Sequence, residues 1–280
     1  MNAPPKVIGF VPVYKAEKFI SKTLEALAAQ TYSNFEILVC DDNSPDNSAS
    51  ICKEFCSSDS RFKFTQNTEN LGWFKTSEML WMQAANKSKY CFTNPHDDLP
   101  YPNYISELVE LLEKNPKASI AIPGMANQRP DETVVSFYED ASDIEDVVER
   151  CFRIAKKDKD YWWAAFHGLH RSEFVEKIYP IDKLRFGESE FSLDLISFLK
   201  MGFFGPLVTS NQVLLKKVYL EKSVSHNWRH NSKNKSALWL AIFKEIENSH
   251  LDLNSKIKLQ KKLSLLLFSR LTGRFQNLFK

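Results

Sequence analysis

The sequence has no long apolar run and no leader-like beginning. None of its stretches reaches the roughly 20 apolar residues that a membrane-spanning helix needs. Residues 1–6 lead straight into an apolar segment without the hydrophobic core of a secretory signal. These absences predict a protein that acts in the cytoplasm, or at the inner face of the cell membrane.

Excess charge is also missing. The chain of 280 residues has 37 Lys and Arg against 35 Asp and Glu, a net charge of +2. Nucleic-acid-binding proteins usually carry a strong positive balance, so no nucleic acid partner is expected. The hydrophobic content of 43% is enough to bury a large core in one large domain or two closely joined ones.

The chain has few cysteines, and their spacing forms no recognisable metal-binding or disulfide pattern. The five cysteines form no Cys-x-x-Cys pair, and most of them fall in apolar strand or helix patterns. This usage favours reduced core thiols over zinc ligands or disulfides. The sequence also has no internal repeat.

Short apolar runs alternate with helical patterns in the first half. Runs of this kind are typical of parallel strands that are buried on both faces, joined by right-handed crossovers. Polar residues follow two of the runs. Asp41 and Asp42 come directly after the second run, and His96, Asp97 and Asp98 come shortly after the fourth. Ligands of such sheets bind beyond the carboxyl ends of the strands. The pattern predicts an α/β fold with strands at residues 7–13, 35–40, 61–65, 90–93 and 118–122.

Several segments of the first half together resemble the family 2 glycosyltransferases of GT-A fold. The resemblance is close over residues 6–116 and weak afterwards. It implies a Rossmann-like fold, with a mostly parallel central sheet flanked by helices and a helical C-terminal extension. The segments that carry it are Val11-Pro-Val-Tyr-Lys-Ala-Glu-Lys-Phe-Ile20, Ala29-Gln-Thr31, Phe35-Glu-Ile-Leu38, Asp41-Asp-Asn-Ser-Pro-Asp46, Asn70-Leu-Gly72 and Asp97-Asp98.

The resemblance also implies an activity. Family members transfer a sugar, with inversion, from a nucleotide diphosphate donor to an acceptor hydroxyl, with a divalent cation on the diphosphate. For this chain it implies a UDP-sugar donor, Mn²⁺ or Mg²⁺, and a glycan acceptor in bacterial surface polysaccharide or glycan biosynthesis. The donor-binding residues implied are Pro12, Val13, Tyr14, Glu17, Asp41, Asp42, Asn70, Gly72, Lys75, His96 and Asp97.

Among these residues Asp42 is the first candidate to read the base, with Asp41 beside it. A carboxylate at a strand end can accept a hydrogen bond from the ring N–H of a pyrimidine or guanine. The alternative is that one of the two aspartates caps the following helix.

Asp98, Asp97 and His226 are the candidate metal ligands. Hard cations take oxygen ligands and keep sites open for a diphosphate, so one or two carboxylates are enough. Pro95 stands where the family's acidic motif begins with an aspartate, which leaves a metal requirement open. The alternative is an N-terminal cap for the helix after Pro102.

The acceptor half supplies a candidate base and a candidate sugar platform. Inverting transfer needs a base on the acceptor hydroxyl, and the family places an acid before a late helix. Glu190 is the first choice, followed by Glu188 and Asp194, although acids also favour the first turn of a helix for electrostatic reasons. The acceptor residues implied are Trp162, Trp163, His167 and Arg171, with Arg171 near the diphosphate; core packing explains the tryptophans equally well.

Domain boundaries are predicted at two places. Residues 1–230 form the transferase domain, with a nucleotide-sugar half up to about 123 and an acceptor half from 124. Residues 231–280 form a helical segment, in which positions 256–280 hold seven Lys or Arg and no acid. Its apolar stripe includes Leu259, Leu263 and Leu266 and predicts either contact with an anionic membrane, with a lipid-linked glycan as acceptor, or docking on the core.

Two other classes remain as alternatives. A nucleotidyltransferase also gathers carboxylates at strand ends, but usually shows a Gly-rich basic loop after its first strand, and residues 12–16 are not one. A catalytically inactive sugar-nucleotide-binding or scaffold protein is the other alternative. The sequence makes no prediction of the oligomeric state.

Overall fold

The computed structural model describes residues 3–157, 161–181, 192–219 and 231–278, and side chains at 161, 162 and 271–278 are outside the description. A single mixed sheet forms its centre. The strands are β1 (Val7–Val13), β2 (Phe35–Asp41), β3 (Phe62–Gln66), β4 (Tyr90–Thr93), β5 (Leu99–Pro100), β6 (Ile120–Gln128), β7 (Thr133–Ser136), β8 (Leu169–Arg171) and β9 (Leu207–Val218).

Helices cover the sheet and extend beyond it toward the C-terminus. A short 3₁₀ turn at Ala165–His167 precedes β8. The α-helices are α1 (Ile20–Ala28), α2 (Ser48–Ser58), α3 (Trp73–Ala85), α4 (Tyr104–Lys114), α5 (Val147–Lys156), α6 (Tyr161–Ala164), α7 (Ser172–Ile178), α8 (Leu193–Phe204), α9 (Ser232–Asn248) and α10 (Leu253–Leu278).

The strand order in the sheet is β3-β2-β1-β4-β8-β6-β9-β5, with β7 paired to β6 at the side. The strands β1 to β4 run parallel, whereas the short β8 runs antiparallel to both of its neighbours. β1 therefore lies between β2 and β4, and the chain changes direction across the sheet there. The predicted α/β fold with flanking helices is confirmed.

Apolar residues of β1 and β4 form the centre of the core. Phe10 lies edge-on to Trp81 of α3, with ring centroids 4.8 Å apart. Gly9 permits this close packing, because a Cβ there would lie 2.4 Å from the ring of Phe92. α4 places its apolar face on the sheet through Ile105 and other buried residues, as its helical spacing predicts.

Two boundaries differ from the sequence-based expectation. The apolar spacing of residues 16–30 predicts a helix from Ala16, but α1 begins at Ile20, because residues 16–19 form a turn in which the amide of Ile20 donates to the carbonyl of Ala16. The predicted strand at 118–122 starts at Ile120 and continues to Gln128, where β7 pairs with it. All five cysteines are free thiols, as predicted. Within the described ranges, no helix is long and apolar enough to cross a membrane.

Candidate donor and acceptor site

The candidate site lies at the carboxyl ends of β1, β2 and β4. Val13, Asp41 and Thr93 are the last residues of these strands, and Asp41 is directly opposite Val13 in the register of β1 and β2. Where the order of the strands reverses, between β1 and β4, a parallel sheet has a crevice at the carboxyl ends of its strands, and ligands bind there. The loops that follow the three strands carry most of the predicted donor residues.

Asp41 has one carboxylate oxygen with no partner. Its Oδ2 accepts from the amide of Ser44 at 2.9 Å and from Nε2 of Gln66 at 3.1 Å. Its Oδ1 is buried and accepts no hydrogen bond from the described residues. A buried acceptor without a donor is costly, and a ligand N–H that reached it would remove that cost.

Asp42, in contrast, has both oxygens occupied. Oδ1 accepts from Nδ2 of Asn67 at 2.7 Å and from the amide of Leu71 at 2.9 Å, and Oδ2 accepts from the amide of Gly72 at 2.9 Å. These bonds fix the turn before α3, where Gly72 takes a positive φ of 84° that favours glycine. The geometry thus favours Asp41 over Asp42 as the residue with a free acceptor.

Other predicted donor residues hold this edge together. Oε2 of Glu17 accepts from the amide of Asn47 at 3.1 Å, which ties the loop after β1 to the start of α2. The side-chain amide of Asn70 donates to the carbonyl of Asp42 at 3.2 Å. Tyr14 is exposed beside the ammonium group of Lys15, and Lys75 is exposed in the first turn of α3.

The turn after β4 brings His96, Asp97 and Asp98 toward β1. Nδ2 of Asn94 donates to the carbonyls of Pro95 and Asp98, and so closes the turn. Nδ1 of His96 lies 3.4 Å from the carbonyl oxygen of Pro12. The half-buried carboxylate of Asp97 accepts no hydrogen bond from the described residues.

Asp98 forms a buried ion pair with Lys217 of β9. Its Oδ2 lies 3.3 Å from Nζ of Lys217, and its Oδ1 accepts from the amide of Val218 at 3.0 Å. Burial raises the pKa of Asp98 to about 6, while the Lys217 charge opposes that rise. A metal ion at Asp98 would have to displace Lys217, so the geometry favours Asp97, the half-buried carboxylate of the pair.

His167 is a buried neighbour of this ion pair. Its Nδ1 lies 3.5 Å from Oδ2 of Asp98, and its ring meets the Trp163 ring edge-on at 5.5 Å. Burial, together with the Lys217 charge, holds the pKa of His167 well below its usual value. Nδ1 of His167 makes no hydrogen bond to the described residues, so a neutral, enclosed imidazole lies against Asp98 and is not itself an open acceptor surface. The half-buried indole of Trp163 lies 6.0 Å from Nζ of Lys217.

The structure places Arg171 at the opposite end of β4 from the turn that carries His96, Asp97 and Asp98. Arg171 is opposite Tyr90, the first residue of β4, because β8 runs antiparallel to β4. Its buried guanidinium group donates to the carbonyls of Ala118, Leu112 and Asn115 and to the hydroxyl of Tyr90. Arg171 therefore stabilises the opposite edge of the sheet, and its contact with a diphosphate stays a prediction.

A narrow cleft with an internal volume of about 20 Å³ lies between α3 and α8. Asp194, in the first turn of α8, is one of its lining residues together with Trp73, Glu78 and Tyr179. Burial raises the pKa of Asp194 to about 6. A carboxylate with such a pKa can exchange protons near neutral pH.

Some predicted site residues lie outside the described residues, namely Glu188, Glu190, His226 and the side chain of Trp162. Across the ranges that the structure describes, no three His, Cys, Asp or Glu side chains cluster closely enough to hold a metal ion by themselves. A metal at this edge would need oxygen ligands from the bound donor.

Three residues that contribute to the site were missed by the sequence analysis. Asn67 and Asn94 shape the two turns, and Lys217 neutralises Asp98. The signal for Lys217 was weak: it lies shortly after the buried pair Leu214 and Leu215, but β9 also contains other polar residues. The two asparagines follow strands directly, where side-chain amides commonly fix turns.

Comparison with known proteins agrees with this architecture. The family model "Glycosyl transferase family 2" matches residues 10–167, more than half of the chain. The chain therefore belongs to glycosyl transferase family 2. The structure of TarS from S. aureus in complex with UDP-GlcNAc superposes with a TM-score of 0.69 at 19% identity, covering 92% of this chain and 71% of that one. The predicted GT-A fold is thereby confirmed.

Two curated relatives show the range of similarity. The putative glycosyltransferase EpsE of Bacillus subtilis is 29% identical over 126 residues, which are 45% of either chain. The Escherichia coli UDP-Glc:alpha-D-GlcNAc-diphosphoundecaprenol beta-1,3-glucosyltransferase WfgD is 47% identical over 57 residues, 20% of this chain and 22% of WfgD. The chain thus spans less than half the length of these relatives.

Proposed function

We propose that this protein transfers a sugar, with inversion, from a UDP-sugar to a hydroxyl of a glycan acceptor. The observation that carries the donor assignment is the unpaired Oδ1 of Asp41 at the end of β2. The ring N–H of uracil is a hydrogen-bond donor of the kind that this oxygen lacks, and adenine has no ring N–H on its pairing edge. Binding of UDP would therefore satisfy a buried acceptor through a ring N–H, whereas ADP offers only the exocyclic amino group of adenine.

The relatives support the choice of donor and acceptor class. TarS was solved with UDP-GlcNAc, and the name of WfgD specifies a UDP-glucose donor with an acceptor linked to diphosphoundecaprenol. For this chain we propose a glycan or lipid-linked glycan acceptor in the synthesis of a bacterial surface polysaccharide. A lipid-linked acceptor would bring the reaction to the inner face of the cell membrane.

A divalent cation fits beside Asp97. Its carboxylate is half-buried and accepts no hydrogen bond from the described residues, so it can serve as an oxygen ligand without breaking a contact. Mn²⁺ or Mg²⁺ held there would stabilise the charge of the departing diphosphate. Lys217 pairs with Asp98 and so leaves Asp97 as the carboxylate that can contribute its negative charge to the cation.

A carboxylate of the segment 188–194 is the proposed base, with Glu190 still the first choice from the sequence. Among the three candidates the structure describes Asp194, whose pKa burial raises to about 6. Asp194 lines the cleft beside α3, and α3 begins directly after the turn that Asp42 fixes. A base with this pKa would be largely deprotonated at neutral pH and able to take a proton from an acceptor hydroxyl.

A binding experiment and a turnover experiment together test the proposal. Isothermal titration calorimetry with UDP, GDP and ADP should show that UDP binds and that Asp41→Asn weakens it by roughly tenfold or more, as expected for loss of a charged hydrogen-bond acceptor. Asp59→Asn is a matched control, since Asp59 lies before β3 and pairs with Arg61. Equal binding of ADP and UDP, or no effect of Asp41→Asn, would contradict the base assignment.

Release of UDP from UDP-sugars, measured with and without a chelator, then separates the candidate functions. Metal-dependent turnover supports a transferase with a cation at Asp97. Tight UDP binding without any turnover, over a panel of sugars and glycan acceptors, would instead support the catalytically inactive sugar-nucleotide-binding protein, for which Pro95 in the acidic motif is the favouring observation.

A further inference from the structure

Helix α10 has apolar residues on two opposite faces. One face docks on the body of the protein, because Leu259 and Leu263 are fully buried and Leu266 packs against the core. Lys262 strengthens the docking through an ion pair with Glu149 of α5, and Arg270 donates to the carbonyl of Lys156. This face includes the stripe from which the sequence predicted a membrane contact or docking on the core, and the structure shows docking.

The other face exposes large apolar side chains. Leu253 is 72% exposed, Ile257 54% and Leu265 61%, and Phe268 is also mostly exposed. At 3.6 residues per turn these positions fall within roughly 120° of the helix circumference, opposite Leu259 and Leu263. Docking on the core therefore does not account for them.

The charge of this face is positive. Lys258 and Lys261 are exposed in the same sector, and α10 contains no Asp or Glu along its printed sequence. We define the outer face of α10 as Leu253, Ile257, Lys258, Lys261 and Leu265. Apolar groups flanked by lysines, with no acid between them, are typical of helices that lie in an anionic lipid interface.

We propose that the outer face of α10 lies in the interface of a membrane that contains anionic lipids. The leucines and isoleucine would enter the headgroup and acyl boundary, while the lysine stems extend to keep their ammonium groups among lipid phosphates. A second copy of the chain fits less well, since it would present the same lysines and no α10 carboxylate to pair with them. Because the opposite face is docked, the helix is already ordered before it meets lipid.

Flotation with lipid vesicles tests this directly. Purified protein is mixed with phosphatidylcholine vesicles that contain either no phosphatidylglycerol or about 30% of it, the range in which anionic charge attracts basic segments. We expect binding to the anionic vesicles only, with a roughly tenfold loss of partitioning in Leu253→Gln/Ile257→Gln/Leu265→Gln and a clear loss in Lys258→Gln/Lys261→Gln.

A matched control comes from α9. Leu240 is 69% exposed but lies outside the outer face, so Leu240→Gln should change partitioning by less than about twofold. Titration with UDP serves as the second readout. It should be unchanged in all these variants, which separates a failure of the membrane proposal from a failure of the proposed donor site.

Three outcomes of the flotation experiment would overturn the proposal. They are an absence of binding to both kinds of vesicle, equal binding by the triple variant and the wild type, and equal loss by Leu240→Gln. If sedimentation shows instead a dimer in solution that the triple variant dissociates, the outer face contacts a second copy and the lipid assignment is wrong.

Discussion

The ion pair between Asp98 and Lys217 gives the sharpest prediction of stability. Lys217→Met should leave the fully buried carboxylate of Asp98 without its cation, although the amide of Val218 still donates to it. Removing one partner of a buried pair costs about 3–5 kcal/mol. The Lys217 side chain is 17% exposed, so water can solvate the Asp98 carboxylate in part once the ammonium group is gone. We therefore expect a cost at the lower end of this range, about 3 kcal/mol.

Urea denaturation at equilibrium measures this cost. The double variant Asp98→Asn/Lys217→Met removes both charges, and should recover much of the lost free energy of unfolding because a neutral buried pair has no uncompensated charge. Lys6→Met is the matched control. Its partner is Glu36, at 3.6 Å, and both side chains are partly exposed to solvent, so its cost should stay below about 1 kcal/mol.

The pH dependence of the same variant follows from the pKa of Asp98. Burial already raises that pKa to about 6 in the presence of Lys217, and it should rise further without the cation. At pH 5 the native variant can then protonate Asp98 and lose the buried charge, whereas at pH 8 the charge must remain or be neutralised at a cost. The destabilisation should therefore be smaller at pH 5. A cost as small as that of Lys6→Met, or strict additivity in the double variant, would refute the reasoning.

Three further predictions concern single side chains. Asp42→Ala should lower the free energy of unfolding by about 1–3 kcal/mol, because the amides of Leu71 and Gly72 lose their acceptor; Asp42→Asn, which keeps an acceptor oxygen, should lose less in the same urea titration. Asp194→Asn should flatten the pH dependence of the free energy of unfolding. The pKa of Asp194 is about 6 in the native protein and 3.8 in the unfolded chain, so the stability of the wild type falls as pH rises from about 4 to 6. The amide of the variant does not titrate, and this fall should be lost. Arg171→Met should lower the melting temperature while UDP affinity in calorimetry stays at the wild-type value, and a weakened affinity would return Arg171 to the donor site.

The first half of the fold was predictable because its signals are local. Each strand of β1 to β4 is a short apolar run, and the order of strands and helices fixes where its carboxyl end lies. Asp41, Asp42, Asp97 and Asp98 could therefore be assigned to one edge of the sheet from their sequence positions alone.

What each of those carboxylates contacts was not predictable, because the answer depends on distant residues. Asp41 and Asp42 are neighbours in sequence, yet Asn67 and the amides before α3 occupy only the second. Lys217 meets Asp98 from 119 positions away. The end of the sheet at which Arg171 lies depends on the direction of a three-residue strand, which the aromatic and histidine pattern around it does not encode.

The bond between Asp98 and Lys217 has a consequence for how sequences of this family can be compared. The family match ends at residue 167, so one partner of the pair lies inside the shared segment and the other lies beyond it. Position 98 is thus tied by a buried ion pair to a part of the chain that the family match does not cover. Relatives with a neutral residue at the position of Asp98 are expected to lack the lysine at the position of Lys217. Covariation between these two positions would identify the family members that contain this buried ion pair.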